Sequence, residues 1–131
     1  MRELFQVWPS ALEAGEVSRI IDLGEALPMS DGTVFSSSSD LQSHRTCTVR
    51  WVDDAWLASL LRSYVQRANE GGFGVTIDGR LEMQLVEYTA DRGAHYDWHH
   101  DVLWSGQSDA DRKLSITVQL SDSGDYVGGD F

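Results

Sequence analysis

The sequence predicts a single α+β domain in which helices come first and strands follow. Apolar residues recur at helical spacing up to about residue 70, and the pattern changes to alternation from residue 73 onward. A chain of 131 residues with 41% hydrophobic residues is long enough to bury a core of its own. We therefore expect one domain over 1–131, with a helical part over 1–72 and a strand-forming part over 73–131.

The first helix is predicted over residues 10–27. Ser10 is the candidate N-cap, and Glu13, three residues later, is its candidate capping-box partner. Pro28 ends the helical pattern, and a polar loop is expected over 30–45. The apolar residues that define this helix are Val17, Ile20, Ile21 and Leu27.

A second helix is predicted over 53–70, after a short β-prone run over 46–52. Asp53 or Asp54 is expected to cap its first turn, and the two glycines at 71–72 are expected to end it. Its apolar stripe consists of Trp56, Leu57, Leu60, Leu61, Tyr64 and Val65.

Four strands are expected in the second part of the chain, over 74–77, 81–89, 96–102 and 114–120. Turns are predicted at 78–79 and at 122–125, where aspartate and glycine cluster. The last strand alternates most regularly, because the apolar residues 114, 116, 118 and 120 are separated by polar residues at 115, 117 and 119.

Charge and cysteine content exclude several classes of function. Ten basic residues against 21 acidic ones give a net charge of −11, which disfavours binding to nucleic acid or to anionic membranes. Cys47 is the only cysteine, so no intrachain disulfide is possible. With neither an apolar run of membrane-spanning length nor a signal-peptide pattern, the sequence predicts a cytoplasmic protein.

Residues 95–101 are the strongest candidate for a functional site, because they hold three of the four histidines and two aspartates. On an extended strand, His95, Asp97, His99 and Asp101 would share one face. Two histidines and one carboxylate are the usual protein ligands of non-haem Fe(II) oxygenases. An isolated His-x-Asp pair is more often a solvated surface feature, and alternation alone leaves two pairs open, His95 with Asp97 and His99 with Asp101.

The neighbourhood of this cluster favours a site over a solvated surface. The aromatic residues Tyr96, Trp98 and Trp104 suggest a cleft, and Tyr88 lies on the preceding predicted strand. The segment that contains Tyr88 and residues 93–101 resembles the G-x-x-Y-x-x-H-x-D segment of the prolyl-hydroxylase-like 2-oxoglutarate/Fe(II) dioxygenases, which include the PKHD-type hydroxylases. Further stretches that resemble this family lie at 68–69, 73–74, 112–122 and 125–131, so the resemblance covers roughly residues 45–131.

The resemblance implies a double-stranded β-helix, or jelly roll, flanked by N-terminal helices. It also implies Fe(II) as the metal, 2-oxoglutarate and O₂ as cosubstrates, and ascorbate as the reductant that keeps the iron active. The implied reaction hydroxylates an unactivated C–H bond, in a prolyl or other peptidyl side chain or in a small molecule, and releases succinate and CO₂. The protein contributes the geometry of the pocket, and the cofactor contributes the oxidative chemistry.

The family spacing selects His99 and Asp101 as the metal ligands. Tyr88, Tyr96 and Gln119 are expected at the 2-oxoglutarate site, the two tyrosines because they match the family segment and Gln119 because it lies on the polar face of the adjacent predicted strand. His95 and Asp97 are then expected beside the metal or in the pocket wall.

The family's third ligand, a distal histidine, and its carboxylate-binding basic residue normally lie several dozen residues further along, and His44 does not match the histidine. We therefore expect these residues to be the N-terminal part of a longer oxygenase, a jelly roll truncated after its first strands and inactive alone.

Two other classes of function remain open from the sequence. One is a non-catalytic jelly-roll module that binds a metal or a ligand, and the other is an acidic interaction module whose histidines are structural. Metal binding would distinguish the dioxygenase and the metal-binding module from the acidic interaction module. Turnover of 2-oxoglutarate would distinguish the dioxygenase from the binding module.

Overall fold

The computed structural model describes residues 4–32, 45–101 and 111–129. These residues form an α+β arrangement of two α-helices and two small antiparallel sheets, which do not close into a barrel. The helices are α1 (Ala14–Glu25) and α2 (Ala55–Ala68). The strands are β1 (Ser30–Asp31), β2 (Arg45–Thr46), β3 (Thr48–Val52), β4 (Met83–Glu87) and β5 (His95–Tyr96).

Helix α1 begins four residues later than the sequence predicts, so the assignment of Ser10 as its N-cap is wrong. Ser10 has a left-handed backbone with φ of 53°, and Glu13 is the N-cap. The Glu16 carboxylate accepts a hydrogen bond from the Glu13 N–H at 2.9 Å, which satisfies a donor that the start of a helix leaves unpaired. Near the other end, Gly24 packs so close to Leu85 that an added Cβ would lie 2.1 Å from a Leu85 methyl carbon.

Helix α2 starts where the sequence predicts, and Asp54 is confirmed as its N-cap because its carboxylate accepts from the Leu57 N–H at 2.8 Å. The predicted end at residues 71–72 is wrong. The chain continues through a π-helical turn, Asn69–Phe73, and stops at Gly74, which has a φ of 58°.

The strand predicted over 74–77 is absent because a side chain takes the hydrogen bonds that a sheet would use. Asn69 donates to the Val75 carbonyl and accepts from the Val75 N–H, both at 2.8 Å. The turn predicted at 78–79 is present, since the Asp78 carboxylate accepts from the Arg80 N–H at 3.0 Å and Gly79 has a φ of 79°.

The core lies between the helices and a three-stranded sheet with the order β1–β3–β4. In this sheet Thr48 pairs with Glu87 and Val52 with Met83, so the strand predicted over 81–89 is present as the shorter β4. The buried residues of the core cluster are Ile20, Leu57, Ala58, Leu61 and Met83.

The second sheet joins the first half of the chain to the histidine-rich segment. Strand β2 pairs with β5, with Arg45 opposite Tyr96 and Thr46 opposite His95. The buried Cys47 separates β2 from β3, so the single strand predicted over 46–52 is divided between the two sheets. As a result, a short piece of backbone connects the core to the candidate site.

The strand predicted over 114–120 forms no ladder with the strands of the described residues, so that prediction is wrong. Its alternation survives as a burial pattern, since Val118 and Leu120 pack against the core while Thr117 and Gln119 are exposed. The predicted turn at 122–125 is confirmed by a hydrogen bond from the Asp125 N–H to the Asp122 carbonyl at 3.0 Å.

Several sequence-based predictions fall outside the described residues, namely most of the polar loop over 30–45, His44 and Trp104. No helix within the described ranges is both long enough and apolar enough to cross a lipid bilayer.

Candidate metal centre

The histidine-rich segment is a bent chain, so the strand predicted over 96–102 is wrong. Strand β5 ends at Tyr96. The Tyr96 and His99 rings then stack with their centroids 3.6 Å apart and their planes 15° apart. Residues three positions apart point to opposite faces of a strand, so this stacking requires the backbone to turn. The expectation that four side chains of 95–101 share one strand face therefore fails.

The turn brings together the two side chains that the family spacing selects. His99 Nε2 lies 3.4 Å from Asp101 Oδ1. A nitrogen and an oxygen that each bind one ion at about 2.0–2.2 Å lie roughly 3–3.5 Å apart at adjacent coordination positions. The His99–Asp101 pair therefore fits two ligands of a single divalent metal ion, and both side chains are more than one-third exposed.

A backbone contact orients the His99 ring for this role. His99 Nδ1 lies 2.6 Å from the carbonyl oxygen of Asp97, and we assign the ring hydrogen to Nδ1 because a carbonyl can only accept. The lone pair of Nε2 then faces the Asp101 carboxylate. Two acceptors this close repel each other unless a cation lies between them, and a metal ion or a proton on Nε2 meets that need.

Two side chains of the segment 111–120 also contact the Asp101 carboxylate. Ser115 Oγ donates to Asp101 Oδ2 at 2.5 Å. Arg112 Nη1 lies 3.5 Å from Asp101 Oδ1, and Nη2 of the same side chain lies 3.4 Å from Glu82. The segment predicted as a strand over 114–120 therefore has a different role, because polar side chains in and beside it contact the candidate ligand Asp101.

Tyr88 and Tyr96, both expected near the 2-oxoglutarate site, lie close to Arg45, which the sequence does not single out. The guanidinium carbon of Arg45 lies 4.6 Å from the centre of the Tyr96 ring. Burial raises the pKa of the Tyr88 phenol above its ordinary value, and the positive charge of the nearby Arg45 offsets part of that rise. The sequence gives no signal for Arg45, since its role depends on the pairing of β2 with β5.

The contacts described for Gln119 and His95, which were also predicted near the site, are with residues other than the candidate ligands. Gln119 donates to the Tyr126 hydroxyl at 3.1 Å, and this bond does not join it to Tyr88 or to the candidate ligands. His95 lies on β5, with Nδ1 2.9 Å from the Gly93 carbonyl oxygen. No three His, Cys, Asp or Glu side chains of the described residues are grouped to hold a metal, so His99 and Asp101 are candidate donors without a third among those residues.

The chain matches no protein-family model, and comparisons with curated proteins and with solved structures find no significant similarity. The interpretation of the site therefore depends on its residues and their geometry.

Proposed function

We propose that this protein is a 2-oxoglutarate- and Fe(II)-dependent dioxygenase that hydroxylates an unactivated C–H bond. The observation that carries the proposal is the 3.4 Å separation between His99 Nε2 and Asp101 Oδ1 in a segment that resembles the iron-binding motif of this family. The orientation of the imidazole supports it, because the bond from Nδ1 to the Asp97 carbonyl leaves Nε2 available to a metal.

His99 and Asp101 would hold the metal ion, and their surroundings would keep both ligands in place. Fe(II), when bound together with 2-oxoglutarate and O₂, supplies the oxidising chemistry that converts the cosubstrate to succinate and CO₂. Ser115 fixes Asp101 Oδ2, while Arg112 balances part of the carboxylate charge. Tyr96 covers one face of the His99 ring and limits the access of water to it.

Two protein donors leave several coordination positions open on an octahedral ion. The family's ligand set has one further histidine, and the oxo acid and O₂ would take the remaining positions. The proposal includes a jelly-roll fold, in which the antiparallel β2–β5 and β3–β4 pairs would be parts of the barrel wall.

The substrate is proposed to be a peptidyl side chain, prolyl among the candidates, or a small molecule, with ascorbate keeping the iron reduced. A net charge of −11 makes nucleic acid and anionic membranes poor partners, so neither is proposed. A cytoplasmic location belongs to the same proposal, because a reducing compartment suits both Fe(II) and a single free cysteine.

The test is metal binding measured calorimetrically under anaerobic conditions, with Fe(II) and with Mn(II) as a redox-stable substitute. His99→Ala and Asp101→Ala should each weaken metal binding at least tenfold, because each removes a ligand. The matched controls are His95→Ala and Asp97→Ala, which should change the affinity less than twofold. Asp97→Ala keeps the backbone carbonyl that orients His99. The reverse result would assign the metal to the other His-x-Asp pair.

Binding of 2-oxoglutarate should depend on the metal and should be lost in the His99→Ala and Asp101→Ala variants. Succinate release is expected only when a third protein ligand joins these two. Metal binding with no effect on 2-oxoglutarate affinity would contradict the enzyme proposal and favour a non-catalytic metal-binding module.

A further inference from the structure

Three planar groups are stacked at the candidate metal centre. The Tyr96 ring lies 3.6 Å from the His99 imidazole, with an angle of 15° between the two planes. The guanidinium carbon of Arg45 lies 4.6 Å from the centre of the same Tyr96 ring. Because the stacked imidazole fills one face of that ring, the guanidinium lies over the other face. Tyr96 is therefore held between the candidate ligand and an arginine of strand β2.

The guanidinium end of this stack is fixed by the sheet and by a buried neighbour. Arg45 lies directly opposite Tyr96 in the β2–β5 ladder, so the two side chains leave the same face of that sheet. Arg45 Nε donates to the sulfur of the buried Cys47 at 3.0 Å. Gly32 packs against the same pair, since an added Cβ there would lie 3.0 Å from Arg45 Nε. These contacts hold the guanidinium against the Tyr96 ring.

The imidazole end of the stack lies on an exposed segment and depends on that support. Most residues of 95–101 are exposed, and β5 ends at Tyr96. The hydrogen bond from His99 Nδ1 to the Asp97 carbonyl fixes one point of the ring but leaves the ring free to tilt about it. Contact with the Tyr96 face prevents the tilt and keeps His99 Nε2 directed at the Asp101 carboxylate. A side chain that is already ordered loses less conformational entropy when it binds its ligand.

We propose that Arg45 is a positioning residue of the candidate metal centre and acts on His99 through the Tyr96 ring. Arg45 fixes the plane of Tyr96 by a cation–π contact, and Tyr96 fixes the plane of the imidazole by stacking. The effect on metal affinity rests on the proposed function, because it assumes that His99 is a ligand. The ordering of the ring is present before any metal binds.

The first measurement is made on the metal-free protein. The ring current of Tyr96 should shift the carbon-bound ring protons of His99 to high field, and NMR of protein with ¹³C-labelled histidine detects them, with His99→Ala giving the assignment. Tyr96→Leu should abolish the shift, whereas Tyr96→Phe keeps a stacked ring and should preserve it. Arg45→Gln should reduce the shift, and Arg45→Lys should restore most of it because a cation again lies over the ring.

The second measurement is the Mn(II) affinity of the same proteins by calorimetry. Tyr96→Leu should weaken binding about tenfold, as the loss of a group that orients a metal ligand does. Arg45→Gln should weaken it about two- to fivefold, the size of one cation–π contact, and Arg45→Lys should lie closer to the wild type. Arg92→Gln is the control for net charge, because this exposed arginine contacts Thr48 and Asp31, and it should change neither the shift nor the affinity.

The possible failures can be told apart. Wild-type shifts of the His99 ring protons in Arg45→Gln, folded by far-UV circular dichroism, would overturn the proposal. Equal losses of Mn(II) affinity in Arg45→Gln and Arg92→Gln would do the same, since the effect would then be one of charge alone. A wild-type protein without the high-field shift would also overturn it, and this measurement needs no variant of Arg45 to fold. A protein that shows the shift and its dependence on Arg45 but binds no Mn(II) would instead overturn the proposed function.

Discussion

The part of the protein that holds the core and the segment that holds the candidate metal centre are stabilised by different interactions. In the first, apolar side chains of α1, α2 and β4 pack together, and Leu57, Leu61 and Met83 are each less than 10% exposed. In the second, most residues of 95–101 are exposed, and the strand is only two residues long. Polar contacts and ring stacking hold that segment in its bent conformation.

Because the two regions are stabilised differently, substitutions in them should affect different measured quantities. Stability that comes from buried apolar area is spread over the whole cooperative unit and is lost globally when a core side chain is shortened. A site held by a few side-chain hydrogen bonds can lose its geometry while the core remains intact. Stability and metal affinity should therefore respond to different substitutions.

The largest expected effect is that of Leu57→Ala on the free energy of unfolding. Leu57 is 5% exposed and lies in the core cluster, so the substitution should reduce that free energy by about 2–5 kcal/mol. Urea unfolding monitored by tryptophan fluorescence measures the change. Ile116→Ala, at a position 40% exposed in the segment near the site, is the control and should cost about 0.5 kcal/mol or less. Equal losses for the two variants would remove the distinction between the regions.

The same contrast decides how much of the molecule could be predicted from sequence. Helix α2 was predicted well, because its apolar stripe faces a core and Asp54 gives a local signal for its start. The turn at 122–125 was also local and was predicted correctly. Where burial and short-range capping determine the structure, periodicity and residue type are sufficient.

The failures occur where a polar side chain replaces a regular ladder. Asn69 bonds both backbone groups of Val75 and prevents the strand expected over 74–77. The stacking of Tyr96 on His99 bends the strand expected over 96–102. An alternating pattern of apolar and polar residues does not predict such side-chain contacts, so it predicts regular strands at both places.

At the candidate site, the resemblance to the family segment selects His99 and Asp101 from two possible His-x-Asp pairs, and the structure places their side chains together. Arg45 could not be found in this way, because it meets Tyr96 through a cross-strand pair between residues far apart in the chain. Which residues face each other across two strands depends on the tertiary register.

A smaller effect is expected for Ser115→Ala, which should reduce metal affinity and leave stability nearly unchanged, whereas Leu57→Ala should reduce stability. Removing the hydroxyl that fixes Asp101 Oδ2 should weaken Mn(II) binding about tenfold, while the free energy of unfolding changes by about 0.5 kcal/mol or less. Calorimetry and urea unfolding on the same preparation measure the two quantities. Thr117→Ala, an exposed position two residues further along, is the matched control and should leave both unchanged. A loss of stability without a loss of metal affinity would show that Ser115 serves the fold instead of the site.

The smallest expected effect is the pH dependence that Tyr88 adds at the boundary between the two regions. Burial raises the pKa of the Tyr88 phenol above its ordinary value of 10.0, so the folded protein keeps this proton to a higher pH than the unfolded chain does. The stabilisation is complete below the ordinary pKa, declines as the pH rises above it, and is lost once the pH has passed through the raised value. Urea unfolding of the wild type and of Tyr88→Phe at steps from about pH 8 to pH 11 measures the difference, with about 10 as the ordinary tyrosine pKa. The wild type should lose stability more steeply than Tyr88→Phe above that value, and parallel curves would show that the phenol is no less solvated in the folded state than in the unfolded one.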